Sequence, residues 1–133
     1  GNGVKIAGDV VVEDGTILSS NVILNEGVHV GSKVLIKGGC RVSSNVPPYI
    51  IIAHNPATYY GVNSVVLSKH AGFTPEQIDD IAKAYRHIYQ SSTSLFNALA
   101  RIEADIEPST IRDEIVNFIR RNNSRIVANR FED

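Results

Sequence analysis

The 133-residue chain has no methionine, no tryptophan and a single cysteine, Cys40. One thiol can neither close an internal disulfide nor furnish a cysteine-based zinc site. No apolar run approaches the roughly 18 residues that a bilayer-spanning helix needs, so stable membrane insertion is not expected. The start of the chain, Gly1-Asn2-Gly3, has neither the basic stretch nor the apolar stretch of a signal peptide. Excess charge is missing as well, since 13 Lys and Arg against 14 Asp and Glu leave a formal net charge of -1. That balance excludes a generally basic nucleic-acid binder and leaves only local patches to consider.

These shortages are uneven along the chain. Residues 1–48 contain no aromatic side chain, all nine Tyr and Phe come from Tyr49 onward, and eight of the ten Gly lie before residue 40. Residues 1–70 hold nine charged groups, residues 71–133 eighteen. Two architectures therefore share the chain. The Pro47-Pro48 pair removes two successive backbone donors and disfavours helix before it, so it marks the joint. The expected organisation is a repeat unit over 1–48, a connecting loop over 49–73 and a helical domain over 74–133.

In the first part a six-residue period is present. Steps of six from Ile6 give Val12, Leu18, Leu24, Val30, Ile36 and Val42, an aliphatic residue each time. The fifth place of each hexad gives Val10, Thr16, Val22, Val28, Val34, Cys40 and Val46, all small or β-branched. The third and fourth places hold turn residues that tolerate φ > 0, such as Gly8-Asp9, Asp14-Gly15 and Gly38-Gly39. A helix would need apolar spacing near 3.6. Spacing of six fits a coil of short strands that turns a corner every hexad and stacks each turn on the last. A solenoid turn cannot bury its own apolar face, so further turns upstream of Gly1 or an oligomer are expected to cover the first one.

The second part reads as helices. Thr74-Pro75-Glu76-Gln77 is a capping box with Pro at the first helical place, and Ile78, Ile81, Ala82, Tyr85, Ile88 and Tyr89 follow at helical spacing, which predicts a helix over 75–90. A Ser-rich link over 91–94 leads to a second helix with Leu95, Leu99, Ile102 and Ile106 on one face. Pro108-Ser109 ends it, and Ile111, Ile115, Phe118 and Ile119 mark a third.

The hexads resemble those of the hexapeptide-repeat acyltransferases, whose fold is a left-handed parallel β-helix with three hexads per turn; seven hexads then make about two and a third turns. At the joint, Asn45-Val46-Pro47-Pro48-Tyr49, Asn55, Ala57-Thr58, Gly61-Val62-Asn63 and Gly72-Phe73, ahead of a helix with Ala84-Tyr85 and Ile88-Tyr89, are similar to the bacterial UDP-N-acetylglucosamine acyltransferases of lipid A synthesis. The likeness runs from Asn2 to the third helix, over the later part of that family's sequence. It implies a cytoplasmic homotrimer that moves a (3R)-hydroxyacyl group from acyl carrier protein to the 3-hydroxyl of UDP-N-acetylglucosamine, without a metal or other cofactor.

Such a reaction needs a general base on the sugar hydroxyl and donors for the developing oxyanion. By the resemblance the base is a His in a turn preceding Asn2, and Gly8 matches the glycine whose N–H serves the oxyanion. Asn63, with Lys69 and His70 standing for a Lys-Arg-Arg run, falls on the nucleotide side. Lys83 and Arg86, three residues apart on one helix face, fall where the acidic carrier protein docks. Departures accompany these matches: Asp9, Asn25 and Pro56 stand where the family has His, and Val65 where it has Glu. The second functional reading they leave open is a non-catalytic trimeric binding or scaffold module.

Other polar groups read plainly. His29, at an outward sixth place, is expected to be a solvated surface side chain, His54 a loop residue, and His87 a polar-face residue without an evident partner. Arg120, Arg121, Arg125 and Arg130 form a basic cluster with no acid between Ile115 and Phe131, suited to an anionic nucleotide or carrier or to a solvated tail.

Overall fold

A computed structural model describes residues 1–129 and divides the chain into two units. The first comprises Gly1–Asn63 and the segment that returns at Arg125, the second Ser64–Ser124.

The first unit is a left-handed parallel β-helix. Its strands β1 (Lys5–Ile6), β2 (Val11–Val12), β3 (Ile17–Leu18), β4 (Ile23–Leu24), β5 (His29–Val30), β6 (Leu35–Ile36) and β7 (Arg41–Val42) follow the hexad period. The first four each pair in parallel with the strand three hexads later: Lys5 with Ile23, Ile23 with Arg41, Val11 with His29 and Ile17 with Leu35. The corner sits at the fourth place alone. Gly3, Asp9, Gly15, Asn21, Gly27, Lys33 and Gly39 all take φ between 53 and 77 degrees, whereas the third-place Gly8 and Gly38 do not. Only Gly visits that region without steric cost, with Asn and Asp next, which explains six of the seven; Lys33 is the exception.

Both apolar places of the hexad point inward. Val22, Leu24, Val28, Val30, Val34, Ile36, Cys40, Val42 and Val46 are buried. In the first turn the equivalent side chains have a neighbouring turn on one side, and Ile6 is 54% exposed.

The segment 49–73, expected as a connecting loop, is mostly regular. Strand β8 (Ile50–Ala53) pairs in parallel with β6, and β9 (Thr58–Val62) folds back antiparallel on β8 with an irregularity between Ile51 and Ile52. An apolar Ile-Ile-Ile-Ala run has no alternation of its own. Its state is set by the open backbone edge of β6, which Leu35 and Ile36 present to Ile51 and Ile52.

Four helices make the second unit, one more than expected: α1 (Ser64–Lys69), α2 (Pro75–Tyr89), α3 (Leu95–Asp105) and α4 (Thr110–Arg121). The capping box at the head of α2 is complete, with Gln77 N–H donating to Thr74 Oγ1 at 3.1 Å and Thr74 N–H to Gln77 Oε1 at 2.9 Å. Ser94 and Ser109 cap α3 and α4 through the N–H groups of Asn97 and Arg112. Leu67, Ile81, Tyr85, Leu99, Ile102, Ile115, Phe118 and Ile119 are buried. The helical domain does not extend over all of 74–133. From Arg125 the chain rejoins the first unit, where β10 (Ala128–Asn129) pairs in parallel with β9.

Candidate functional site

In the β-helix unit, Gly8 lies in an exposed turn of the first coil. Its carbonyl accepts from the Gly27 N–H at 3.1 Å, and a Cβ built on it would meet nothing within 4 Å. Asp9 beside it is exposed and left-handed. Asn63 belongs to a different level of the coil and is buried. Its N–H donates to the Tyr49 carbonyl at 2.8 Å and its Nδ2 to the Lys33 carbonyl at 3.1 Å, so it holds the left-handed Lys33 turn to the end of β9.

Two other Asn residues of the joint do similar work. Asn45 Oδ1 accepts from the His29 N–H and its Nδ2 donates to the Arg125 carbonyl, both at 2.9 Å. Asn55 accepts from the Arg41 N–H at 3.3 Å and donates to the Gly39 carbonyl at 3.2 Å, taking the place of a further strand over β7.

His29 is not simply solvated. Its Nε2 lies 2.6 Å from Glu13 Oε2, and both side chains are about a quarter exposed, at 22% and 30%. The coil register explains the pair. His29 stacks over Val11, and strand alternation puts Glu13 on the same outward side as Val11, so the two are diagonal neighbours. Asn25, on the same coil, accepts from Arg41 Nη1 at 3.4 Å. In the hairpin, His54 lies 6.1 Å from the ring of Tyr60, and Lys37 Nζ sits 4.6 Å over that ring. Cys40 is buried, and desolvation raises its thiol pKa above the ordinary value, which favours the protonated form.

In the helical unit the candidate cations fall into two places. Lys69, the last residue of α1, lines a groove of about 500 Å³ with Val65, Ser68, Ile78, Asp79 and Ala82. Val65 is 65% exposed there. His70 follows as an exposed residue whose N–H closes the end of α1 on the Val66 carbonyl. Lys83 and Arg86 line a separate cleft of about 350 Å³ with His87, Gln90 and Asp105. Contrary to expectation, His87 has a partner there: its Nε2 is 2.9 Å from Asp105 Oδ2.

The basic cluster of the C-terminal segment does not act as one. Arg120 forks onto both oxygens of Glu103, at 2.6 and 3.2 Å, and that bond lowers the Glu103 pKa and raises its own. Arg121 ends α4, Arg125 belongs to the other unit, and Arg130 lies outside the described residues. Among the described residues no three His, Cys, Asp or Glu side chains are placed to hold a metal, and no helix is long and apolar enough to cross a membrane. Sequence reasoning missed Glu13 and Asp105. Glu13 was accessible through the coil register, whereas nothing in the spacing signals Asp105, which approaches His87 from another helix.

Comparison with known proteins agrees with this architecture. A family model described as "Udp N-acetylglucosamine O-acyltransferase; Domain 2" matches residues 45–127. Among solved structures, a UDP-N-acetylglucosamine acyltransferase from Bacteroides fragilis superposes with a TM-score of 0.89 at 39% identity, over 96% of this chain and 49% of that one. The Francisella novicida enzyme of the same description gives 0.90 at 30%, over 98% and 48%. A curated acyl-[acyl-carrier-protein]–UDP-N-acetylglucosamine O-acyltransferase of Anaeromyxobacter sp. is 29% identical over 90% of this chain and 46% of its own length. The chain thus spans about half the length of these relatives. With the matched region covering more than half of its residues, the chain belongs to the UDP-N-acetylglucosamine O-acyltransferase family.

Proposed function

We propose that this chain is the C-terminal portion of an O-acyltransferase that moves a (3R)-hydroxyacyl group from acyl carrier protein to the 3-hydroxyl of UDP-N-acetylglucosamine, acting in the cytoplasm. The observation that carries the reading is the likeness of nearly the whole chain, coil and helices together, to the Bacteroides and Francisella enzymes at 39% and 30% identity. A non-catalytic scaffold would have to keep the helical unit as well as the coil without using either.

In this reading the Gly8 N–H faces the oxyanion, and the absence of a side chain leaves room for an acyl carbonyl to approach it. The general base is the His that the resemblance places before Asn2. Asn63 offers a rigid amide on the nucleotide side, and Lys69 supplies positive charge and His70 a ring nitrogen for hydrogen bonding to the diphosphate. Lys83 and Arg86 steer the acidic carrier protein.

The active form is a homotrimer. Support comes from an outward apolar ladder: Ile17, 46% exposed, stands in register with Leu35, and Leu35 with Ile51. A coil that displayed this ladder to water would present a continuous apolar stripe of the kind that marks a protein interface. Light scattering is expected to give the mass of three chains, and Ile17→Glu to lower it; a monomer with the parent sequence refutes the assembly.

Function is tested by titrating UDP-N-acetylglucosamine into a protein that carries the upstream coil as well as this chain, while following the melting temperature. At a hundred times the dissociation constant a single-site ligand adds about 2.7 kcal/mol, which raises the melting temperature. No rise at any soluble concentration overturns the substrate assignment.

A further inference from the structure

The cleft between the C-terminal half of α2 and the end of α3 contains a carboxylate in an unfavourable position. Asp105 occupies the last turn of α3, the negative end of the helix dipole, and that turn has no basic residue of its own. Arg112 covers the end of α3 by donating to the Glu103 and Ile106 carbonyls, but its charge is committed to Asp113 at 2.9 Å. What holds Asp105 is α2. Lys83, Arg86, His87 and Gln90 lie at i, i+3, i+4 and i+7 and line one face of the cleft. The His87 hydrogen bond, and after it the charges of His87, Lys83 and Arg86, keep the Asp105 carboxyl below the usual carboxylate range.

The occupant is easily displaced. Asp105 is 54% exposed, at the mouth of the cleft, and the Lys83–Asp79 pair beside it spans 3.4 Å between two exposed side chains, a contact that water and salt screen. The cleft of about 350 Å³ has room for more than one carboxylate. We propose that Asp105 is a built-in competitor: it occupies a carboxylate-acceptor cleft formed by Lys83, Arg86, His87 and Gln90, and an acidic protein surface docks by exchanging its own carboxylate for Asp105 on His87. The inference rests on the docking reading of Lys83 and Arg86 given above and adds His87 as a docking hydrogen-bond partner and Asp105 as the contact that must open.

The test is binding of the protein to acyl carrier protein at low ionic strength by isothermal titration. Asp105→Asn is expected to bind about two- to fivefold more tightly than the parent, the size of one exposed ion pair. Glu107→Gln removes the same charge just past the same helix end without touching His87 and is expected to change affinity less. In the His87→Gln background, Asp105→Asn should lose its advantage, because the two act as one pair. A Lys83→Ala/Arg86→Ala variant that binds like the parent refutes the docking reading itself. If that variant weakens binding while Asp105→Asn does not tighten it, or Glu107→Gln tightens it equally, docking stands and the competitor is refuted. Inorganic phosphate that displaces the carrier at a concentration where chloride of equal ionic strength does not would show a phosphate site and overturn the carboxylate assignment.

Discussion

Three glycines of the coil face three different physical situations, and replacing each by alanine separates them. At Gly8 the backbone is not left-handed and a Cβ meets nothing within 4 Å. The expected effect of Gly8→Ala on stability is therefore neutral to favourable, by about 0.4–1 kcal/mol, because alanine restricts only the unfolded chain. At Gly27 a Cβ also meets nothing within 4 Å, but φ is +77. A left-handed alanine costs about 1–2 kcal/mol, and the unfolded-state gain offsets part of it, leaving a loss of about 1 kcal/mol. Gly31 is not left-handed, but it is buried and its Cβ would lie 2.7 Å from the Pro48 nitrogen and 2.9 Å from its Cα. Backbone atoms cannot swing aside like a side chain, and the Gly31 N–H is fixed to the Val46 carbonyl at 2.7 Å. Overpacking of this kind costs about 2–3 kcal/mol.

Urea unfolding followed by circular dichroism, at one protein concentration so that any assembly contributes equally, ranks the three by midpoint and slope. The order expected is Gly8→Ala, then Gly27→Ala, then Gly31→Ala least stable. A Gly27→Ala variant as stable as Gly8→Ala would refute the left-handed corner at the fourth place of the hexad. A Gly31→Ala variant at parental stability would refute the close approach of the Pro47-Pro48 backbone to the coil. On the proposed function, and in a protein that also carries the upstream coil with the base, Gly8→Ala keeps the N–H but fills the space before it, so a loss of acyl transfer at an unchanged urea midpoint would report obstruction of the acyl carbonyl there rather than misfolding.

Two further predictions concern ionisation. Hydrogen bonding to Arg120 lowers the Glu103 pKa, so the pair contributes stability above the unfolded carboxylate value near ~4.3 and loses it as pH falls through the folded value. Because both side chains are well exposed, Glu103→Gln should cost at most about 1 kcal/mol at neutral pH, and urea melts of variant and parent should converge in acid. A gap that persists undiminished below about pH 2.5 would show that the loss is not the ion pair. Burial raises the Cys40 pKa, so its contribution is intact below the unfolded thiol value near ~8.5 and is lost as pH rises through the folded one. The native thiol should resist a disulfide reagent at neutral pH and react at once in denaturant; rapid native labelling would contradict its place in the core.

What could be read ahead of the structure was what repeats locally. The hexad fixes strands, inward faces and corners because each of its residues answers to its own turn, and the capping box at Thr74 announces α2 for the same reason. The segments that escaped are those whose state is decided by a neighbour. Ile50–Ala53 becomes a strand because β6 offers it an edge, and Ala128–Asn129 because β9 does. The six residues of α1 show too little periodicity to declare themselves. His29 and His87 looked alike as isolated surface histidines, yet the first finds Glu13 through the stacking of turns and the second finds Asp105 through the packing of two helices.

The residues that carried the family likeness turn out to have a structural reason for being what they are. Asn45, Asn55 and Asn63 each spend their side-chain amide on backbone groups of the coil, where no other side chain of that size both donates and accepts in the same plane. They testify to how the coil ends and joins the hairpin, and only indirectly to chemistry. The departures fall elsewhere. Asp9, Pro56 and Val65 are exposed, and the Asn25 side chain accepts from Arg41 Nη1 across an exposed 3.4 Å contact. Asp9 still answers to its left-handed corner, but at Asn25 and Val65 the fold imposes little, so a change there alters what a ligand meets without altering the coil. On the proposed function, restoring His at Asn25 or Glu at Val65 should therefore leave the urea midpoint nearly unmoved while shifting affinity for the nucleotide sugar. A large loss of stability in either variant would mean that these positions, too, were chosen by the fold.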